Sequence, residues 1–255
     1  MRELVLVFAL TFTSALSAAE VLFPQPLHLV RRIDDPVSQS TITLHEYAAG
    51  NQLITVHGSR VAIADYDKQQ ITEIDRVAGT YSITRFDEIA TKPVRGIATE
   101  AARAPKKKWT VTALSGRSRE TFEVKADDTK KIEVGVDRRV ALSRAAVEVL
   151  IGAAFPNQRN EAHDAILEAA SSRGTRSIQG ESAAEQYALP AEQSVTWDVA
   201  GDRVTMRSSV VDLTNDLPPA DLLTIPPGAQ RVESRTTRLL RELDNLDRIP
   251  SGGKP

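Results

Sequence analysis

The 255-residue chain sets 32 lysines and arginines against 34 aspartates and glutamates, so no global field draws it to nucleic acid or to an anionic membrane. It has no cysteine, which excludes disulfides, thiolate metal sites and lipid attachment at a mature N-terminal cysteine. Aromatic residues are only 5% of the chain, so a core must be mainly aliphatic and stacking platforms for bases or sugars are scarce.

Residues 1–19 read as a cleavable secretory signal. Arg2 and the α-amino group give positive charge, Leu4 to Leu16 is an apolar run broken by Thr and Ser, and Ser17-Ala18-Ala19 offers the small residues signal peptidase needs. The run is shorter than the roughly 20 apolar residues of a membrane span; an uncleaved anchor is the alternative. A cysteine-free exported chain fits a bacterial periplasm. Residues 20–40 read as an extended segment.

From Thr41 to Val136 short alternating strands are separated by turn signals. Ile42 and Leu44 begin the pattern, Ala49-Gly50-Asn51 turns it, and Ile54 and Val56 follow. Gly58-Ser59 suits a two-residue hairpin with glycine at positive φ. Val61 and Ile63, the turn Asp67-Lys68-Gln69, Ile71 to Asp75, and Tyr81 to Arg85 complete a meander. Thr91 to Lys108 interrupts it as a loop with room for one helical turn, ending in three lysines. Trp109, Val111 and Ala113 then share a face, as do Phe122 and Val124, and Ile132, Val134 and Val136.

The period changes at Leu142. Ala145, Ala146, Val149, Leu150 and Ala153 continue it at helical spacing, and Pro156 ends the helix. A second helix, capped by Asn157 or Asn160, carries Ala162, Ala165, Ile166, Ala169 and Ala170 and stops at Gly174. Strands return over 175–233, with Val195, Trp197 and Val199 answered across Gly201-Asp202 by Val204 and Met206. Leu239, Leu240, Leu243 and Leu246 predict a C-terminal helix over 234–249, and 250–255 reads as a disordered tail.

No linear motif points to catalysis. His28, His45, His57 and His163 form no metal-binding pair on a helix. There is no Gly-x-Ser-x-Gly elbow, phosphate loop or dinucleotide fingerprint. Asp65 with Asp67, and Asp127 with Asp128, fall at strand ends, where aspartate ordinarily forms turns. The expectation is therefore no enzyme, no metal and no cofactor.

Gly50-Asn51-Gln52-Leu53, the run Ile63 to Asp75, Tyr81, and the closing segment Asp216 to Ala229 resemble the outer-membrane lipoprotein carrier (LolA/LolB-like) superfamily. The resemblance implies an unclosed antiparallel half-barrel, with helices as a lid over a concave face that holds acyl chains.

The expected fold class is α+β: one curved antiparallel sheet, an unclosed half-barrel, with helices on its concave side. A single domain spans 41–249, with strands at 41–136 and 175–233, a helix pair at 141–173 and the C-terminal helix at 234–249. The expected function is an exported periplasmic carrier for an apolar ligand, a lipid or lipoprotein acyl chain. Candidate lining residues are Ile54, Val56, Trp109, Val111, Val195, Trp197 and Val204. The alternative is a structural envelope protein that docks on a protein partner through the C-terminal helix. Nucleic acid is not an expected partner.

Overall fold

The computed structural model describes residues 21–36, 38–90, 110–114, 119–125, 130–154, 163–171, 186–199, 202–234 and 237–238. The segment read as a secretory signal, the expected three-lysine loop, Asp127 with Asp128, the expected cap of the second helix, Gly174, most of the expected C-terminal helix and the expected tail lie outside the described residues.

Period-2 patterning governs most of this chain, and its strands answer it. In order they are β1 (Phe23–Asp35), β2 (Ser40–Gly50), β3 (Gln52–His57), β4 (Arg60–Asp65), β5 (Gln70–Asp75) and β6 (Thr80–Arg85). The short helix α1 (Phe86–Ala90) follows, then β7 (Thr110–Leu114), β8 (Glu120–Lys125) and β9 (Lys130–Leu142). Helices α2 (Arg144–Ala154) and α3 (His163–Ala170) precede β10 (Tyr187–Val199), β11 (Asp202–Thr214) and β12 (Gln230–Arg231). All twelve strands join one sheet in the order β12-β6-β5-β4-β3-β2-β1-β11-β10-β9-β8-β7. Its first and last strands do not meet, so the sheet is unclosed. Every pairing is antiparallel except β12 with β6. Among the described residues no helix is long and apolar enough to cross a membrane.

The meander β2–β6 turns where the sequence predicts. Gly50 and Gly58 take φ of +59° and +58°, and Gln69 closes the Asp67-Lys68 turn at +52°. Asp65 organises that turn. Its carboxylate accepts the Lys68 backbone N–H at 2.9 Å, the Lys68 Nζ at 2.8 Å and the Gln52 amide at 2.9 Å. Burial raises its pKa, but these donors outweigh burial and hold it below the ordinary carboxylate value. Asp67 accepts from the Asn51 amide. Both aspartates are thus engaged in turn geometry.

The segment 20–40, read as merely extended, supplies the central strand. β1 lies between β2 and β11 and joins the two halves of the sheet. Its alternate residues Leu27, Leu29 and Arg31 are buried, although the series includes a charge.

Alternation sorts the side chains onto two faces. On the helix face, Leu29, Ala48, Leu53, Ala64, Ile71, Val124, Val134 and Val136 form one apolar cluster with Ala146, Val147 and Leu150 of α2 and Ile166, Leu167 and Ala170 of α3. The helices pack against the β7–β10 end of the sheet. On the opposite face, Ile54, Val61, Ile63 and Ile74 form a smaller cluster with Tyr47, Val56, Tyr81 and Leu222. Leu222 belongs to a strap, residues 215–229, that leaves β11 and crosses this face to reach β6. The Arg76 guanidinium donates to the Asp221 carboxylate at 3.2 Å and also to its carbonyl. At the far end, Gln230 N donates to Gly79 O at 2.9 Å and Val232 N to Tyr81 O at 2.8 Å.

One discontinuity breaks the sheet. β10 pairs with β11 from Val199↔Asp202 to Glu192↔Ser209 and no further. Beyond that point β10 stays with β9 as far as Tyr187↔Leu142, and β11 stays with β1 as far as His28↔Thr214. Register shifts at Ala188/Leu189, Pro190/Glu192 and Val30/Arg31 accompany the end of that ladder, and Tyr187 instead forms an antiparallel bridge with Ser171, just beyond α3.

Candidate binding site

On the helix face, polar side chains line up across the middle of the sheet. Gln193 on β10 sits directly opposite Ser208 on β11, and Glu46 on β2 opposite Thr55 on β3. Arg31 on β1 lies between these pairs. All five are buried, Arg31, Glu46 and Ser208 at 0% exposure and Gln193 at 1%.

The Arg31 Nε donates to Glu46 Oε2 at 2.9 Å, and its Nη1 to Ser208 Oγ at 3.3 Å. The pair is charge-assisted, and the side chains are 1% and 0% exposed. Arg31 Nη2 and Glu46 Oε1 have no partner, so one of the two bonds of a side-on guanidinium–carboxylate fork is made. The Gln193 amide oxygen and nitrogen and the Thr55 hydroxyl are also unpartnered. A buried donor or acceptor left without a partner costs about 1–3 kcal/mol. Beyond Thr55 the row continues through Ala62 to Glu73 and Ser82, whose hydroxyl donates to the Glu73 carboxylate at 3.1 Å. The row contains amide, hydroxyl and ion-pair groups, and it can bind and orient a polar atom.

The structure divides the sequence-derived candidates. Val111 packs against the helix-face cluster, Val195 belongs to it at 1% exposure, and Val204 follows the same alternation on β11. Trp197 lies in β10 opposite Val204. Ile54 and Val56 are on the other face, in the cluster that Leu222 covers. Trp109 lies outside the described residues. Sequence reasoning passed over Arg31, Glu46, Ser208 and Gln193. The signal was present in part: Leu27, Leu29, Arg31 and Ile33 alternate, as do Ile42, Leu44, Glu46 and Ala48.

A cleft of about 470 Å³ lies where the β10–β11 ladder ends. Leu189 and Ala191 line one lip, Val210 and Leu213 the other, and Asp137, Arg139 and Arg119 stand at its β9 side. Arg139 forks onto the Asp137 carboxylate, and that bond is the main reason the carboxyl lies below its ordinary value. At the sheet's strap face, His28, His45, Thr214 and Asp216 form a chain. Thr214 Oγ1 donates its single proton to Asp216 Oδ2 at 2.6 Å, so it accepts from His28 Nδ1 at 3.4 Å. His28 Nε2 is then the acceptor for His45 Nδ1, 3.2 Å away. The Tyr47 ring stacks on His28 at 4.1 Å. Burial foremost, and His45 next, lower the His28 pKa below 6.5, against the pull of Asp216 and Asp212. Among the described residues no group of three or more His, Asp or Glu is placed to hold a metal ion.

No family model and no curated protein matches the chain. Among solved structures it is similar to an uncharacterized conserved protein from Thermus thermophilus, with TM-score 0.43, 8% identity, 83% of this chain and 92% of that one covered. It is also similar to PNGF-II in its C2 crystal form, with TM-score 0.37, 8% identity, and 85% of this chain against 32% of that one covered. These likenesses assign neither a family nor an activity.

Proposed function

We propose that this is an exported, non-enzymatic binding protein of the carrier type, holding an apolar ligand, a lipid or lipoprotein acyl chain, against the helix face of its sheet. In this reading the sheet is concave toward α2 and α3, and the helices cover the ligand as a lid. The resemblance of the meander and closing segment to the lipoprotein carriers supports it. The observation that carries it is the helix face itself: an aliphatic surface on an unclosed sheet, crossed by one row of buried, partly unpartnered polar groups. Aliphatic area binds acyl carbon at about 0.8 kcal/mol per CH₂. An ester or carboxyl end would find a donor in the Gln193 amide.

The test is native mass spectrometry of the full chain purified from an envelope extract, with organic extraction of anything bound. A co-purifying lipid, and saturable binding of a fluorescent fatty acid analogue that Gln193→Leu weakens, are the expected results. A chain that carries no lipid and does not bind the analogue refutes the reading.

A further inference from the structure

We propose that the buried polar row reads the head group of the apolar ligand, and that it takes an uncharged alcohol head, such as that of a monoacylglycerol, in preference to a carboxylate. This rests on the apolar-ligand reading and sharpens it. The half-made fork carries the inference. Arg31 Nη2 and Glu46 Oε1 belong to the two halves of one buried ion pair, and neither has a hydrogen-bond partner. The guanidinium nitrogen can only donate, and the carboxylate oxygen beside it can only accept. A group that completes both must accept from the first and donate to the second. A hydroxyl does so with one atom, since it carries one proton and two lone pairs. A carboxylate can accept from Arg31 but has no proton for Glu46. It would also bring a second negative charge beside the first, where neither is exposed to water.

The rest of the row repeats the pattern. Ser208 lies opposite Gln193 and accepts from Arg31 Nη1 at 3.3 Å, so it ties the two together. The Gln193 amide nitrogen and oxygen are both unpartnered, which is again one donor beside one acceptor. The second hydroxyl of a glyceryl head would find both roles there. Gln193, Ser208 and Thr55 are uncharged, and Arg31 cancels Glu46, so the row has no net charge with which to hold an anion.

The row also stands where a head group would end. Val210 lies directly opposite Arg31 on the neighbouring strand. Ala191 and Val210 each sit two residues along their strands from Gln193 and Ser208. These same two residues line the cleft of about 470 Å³, together with Leu189 and Leu213. That volume is within the range of small-molecule sites. An acyl chain lying along the cleft brings its polar end to the row. The charged groups of the cleft, Arg119, Arg139 and Asp137, stand at its other, β9 side, and offer an acid a competing place.

Competition binding on the full chain tests this. The uncharged fluorophore N-phenyl-1-naphthylamine reports the apolar site. Monolauroylglycerol, methyl laurate and laurate, at about pH 8 and below their aggregation concentrations, displace it. The three share one acyl chain and differ in the head: hydroxyls, an uncharged acceptor alone, or an anion. Monolauroylglycerol should displace the fluorophore at concentrations at least about tenfold lower than either of the others, as expected of a hydrogen bond to a buried charged group. Glu46→Gln should reverse the order of monolauroylglycerol and laurate, because the Arg31 charge then lacks its counterion. A merely structural row would move all three affinities together. Methyl laurate or laurate binding as tightly as monolauroylglycerol overturns the inference and leaves the apolar-ligand reading standing. An order unchanged by Glu46→Gln does the same. Displacement by none of the three overturns both. Should Glu46→Gln fail to fold, the three-way comparison on the native chain decides alone.

Discussion

Arg31→Met and Glu46→Leu, singly and together, probe the row at the centre of the sheet. At the 2.9 Å separation of Arg31 Nε and Glu46 Oε2, Coulomb attraction at an effective dielectric of 20 is about 6 kcal/mol. Each ion gives up several kcal/mol of hydration on burial, so the intact pair nets close to zero. Removing either partner leaves the other charge buried without its counterion. Each single variant should therefore lose about 3–5 kcal/mol of unfolding free energy. The double variant replaces both ions by apolar groups of similar size and should lie within about 1 kcal/mol of the native chain. The double-mutant cycle then gives a coupling of several kcal/mol, readable by urea denaturation with slopes compared to confirm two-state behaviour. Single losses below about 1 kcal/mol would mean the pair behaves as a solvated surface pair, and the buried row would be refuted. A double loss equal to the sum of the singles would refute the coupling.

Three further outcomes follow from other parts of the fold. Because burial and His45 depress His28, the unfolded chain binds more protons than the native one just below pH 6.5. Stability is full above that value and falls as pH drops through it, so His28→Phe should shrink the Tm loss between about pH 7.5 and 5.5, while lowered carboxyls such as Asp65 act only below about pH 4. Gly58 holds φ +58° with nothing within 4 Å of an added Cβ, so Gly58→Ala should cost about 1–2 kcal/mol from backbone strain alone, read as a shift in urea midpoint. Leu222→Ala should cost about 1–2 kcal/mol, below the range for a fully buried leucine, and should speed amide exchange at Gln230 and Val232, where the strap ends.

The meander was legible because each of its strands is fixed by local chemistry. Alternation sets the buried face, and Gly50, Gly58 and the Asp65 turn set the register. The helices α2 and α3 were legible for the same reason, from apolar residues at helical spacing. Non-local placement was not. Nothing near Phe23–Asp35 says that this strand pairs with a strand almost 180 residues away, or that the two halves of the sheet meet there. The candidates Ile54 and Val56 alternate as cleanly as Val195, yet they fall on the opposite face, because alternation gives a strand two sides without saying which side the helices take.

The buried polar row was missed for a more specific reason. Pattern reading treats a charge as a vote for solvent, and Arg31 and Glu46 cast that vote inside β1 and β2. Each is wrong alone and explicable with the other, since a buried ion persists only where its counterion is buried beside it. They occupy positions where the alternation of Leu27, Leu29 and Ile33, and of Ile42, Leu44 and Ala48, requires an apolar residue. Chains that otherwise agree with their fold at every level break the rule where something beyond folding is required. Here two strands break it with opposite charges, and their neighbours add Ser208, Gln193 and Thr55 on the same face. One exception could be an accident of packing. Five side chains on five adjacent strands, several with polar atoms left unsatisfied, are a poor device for stability alone, and that is why the proposed function places the polar end of a ligand there.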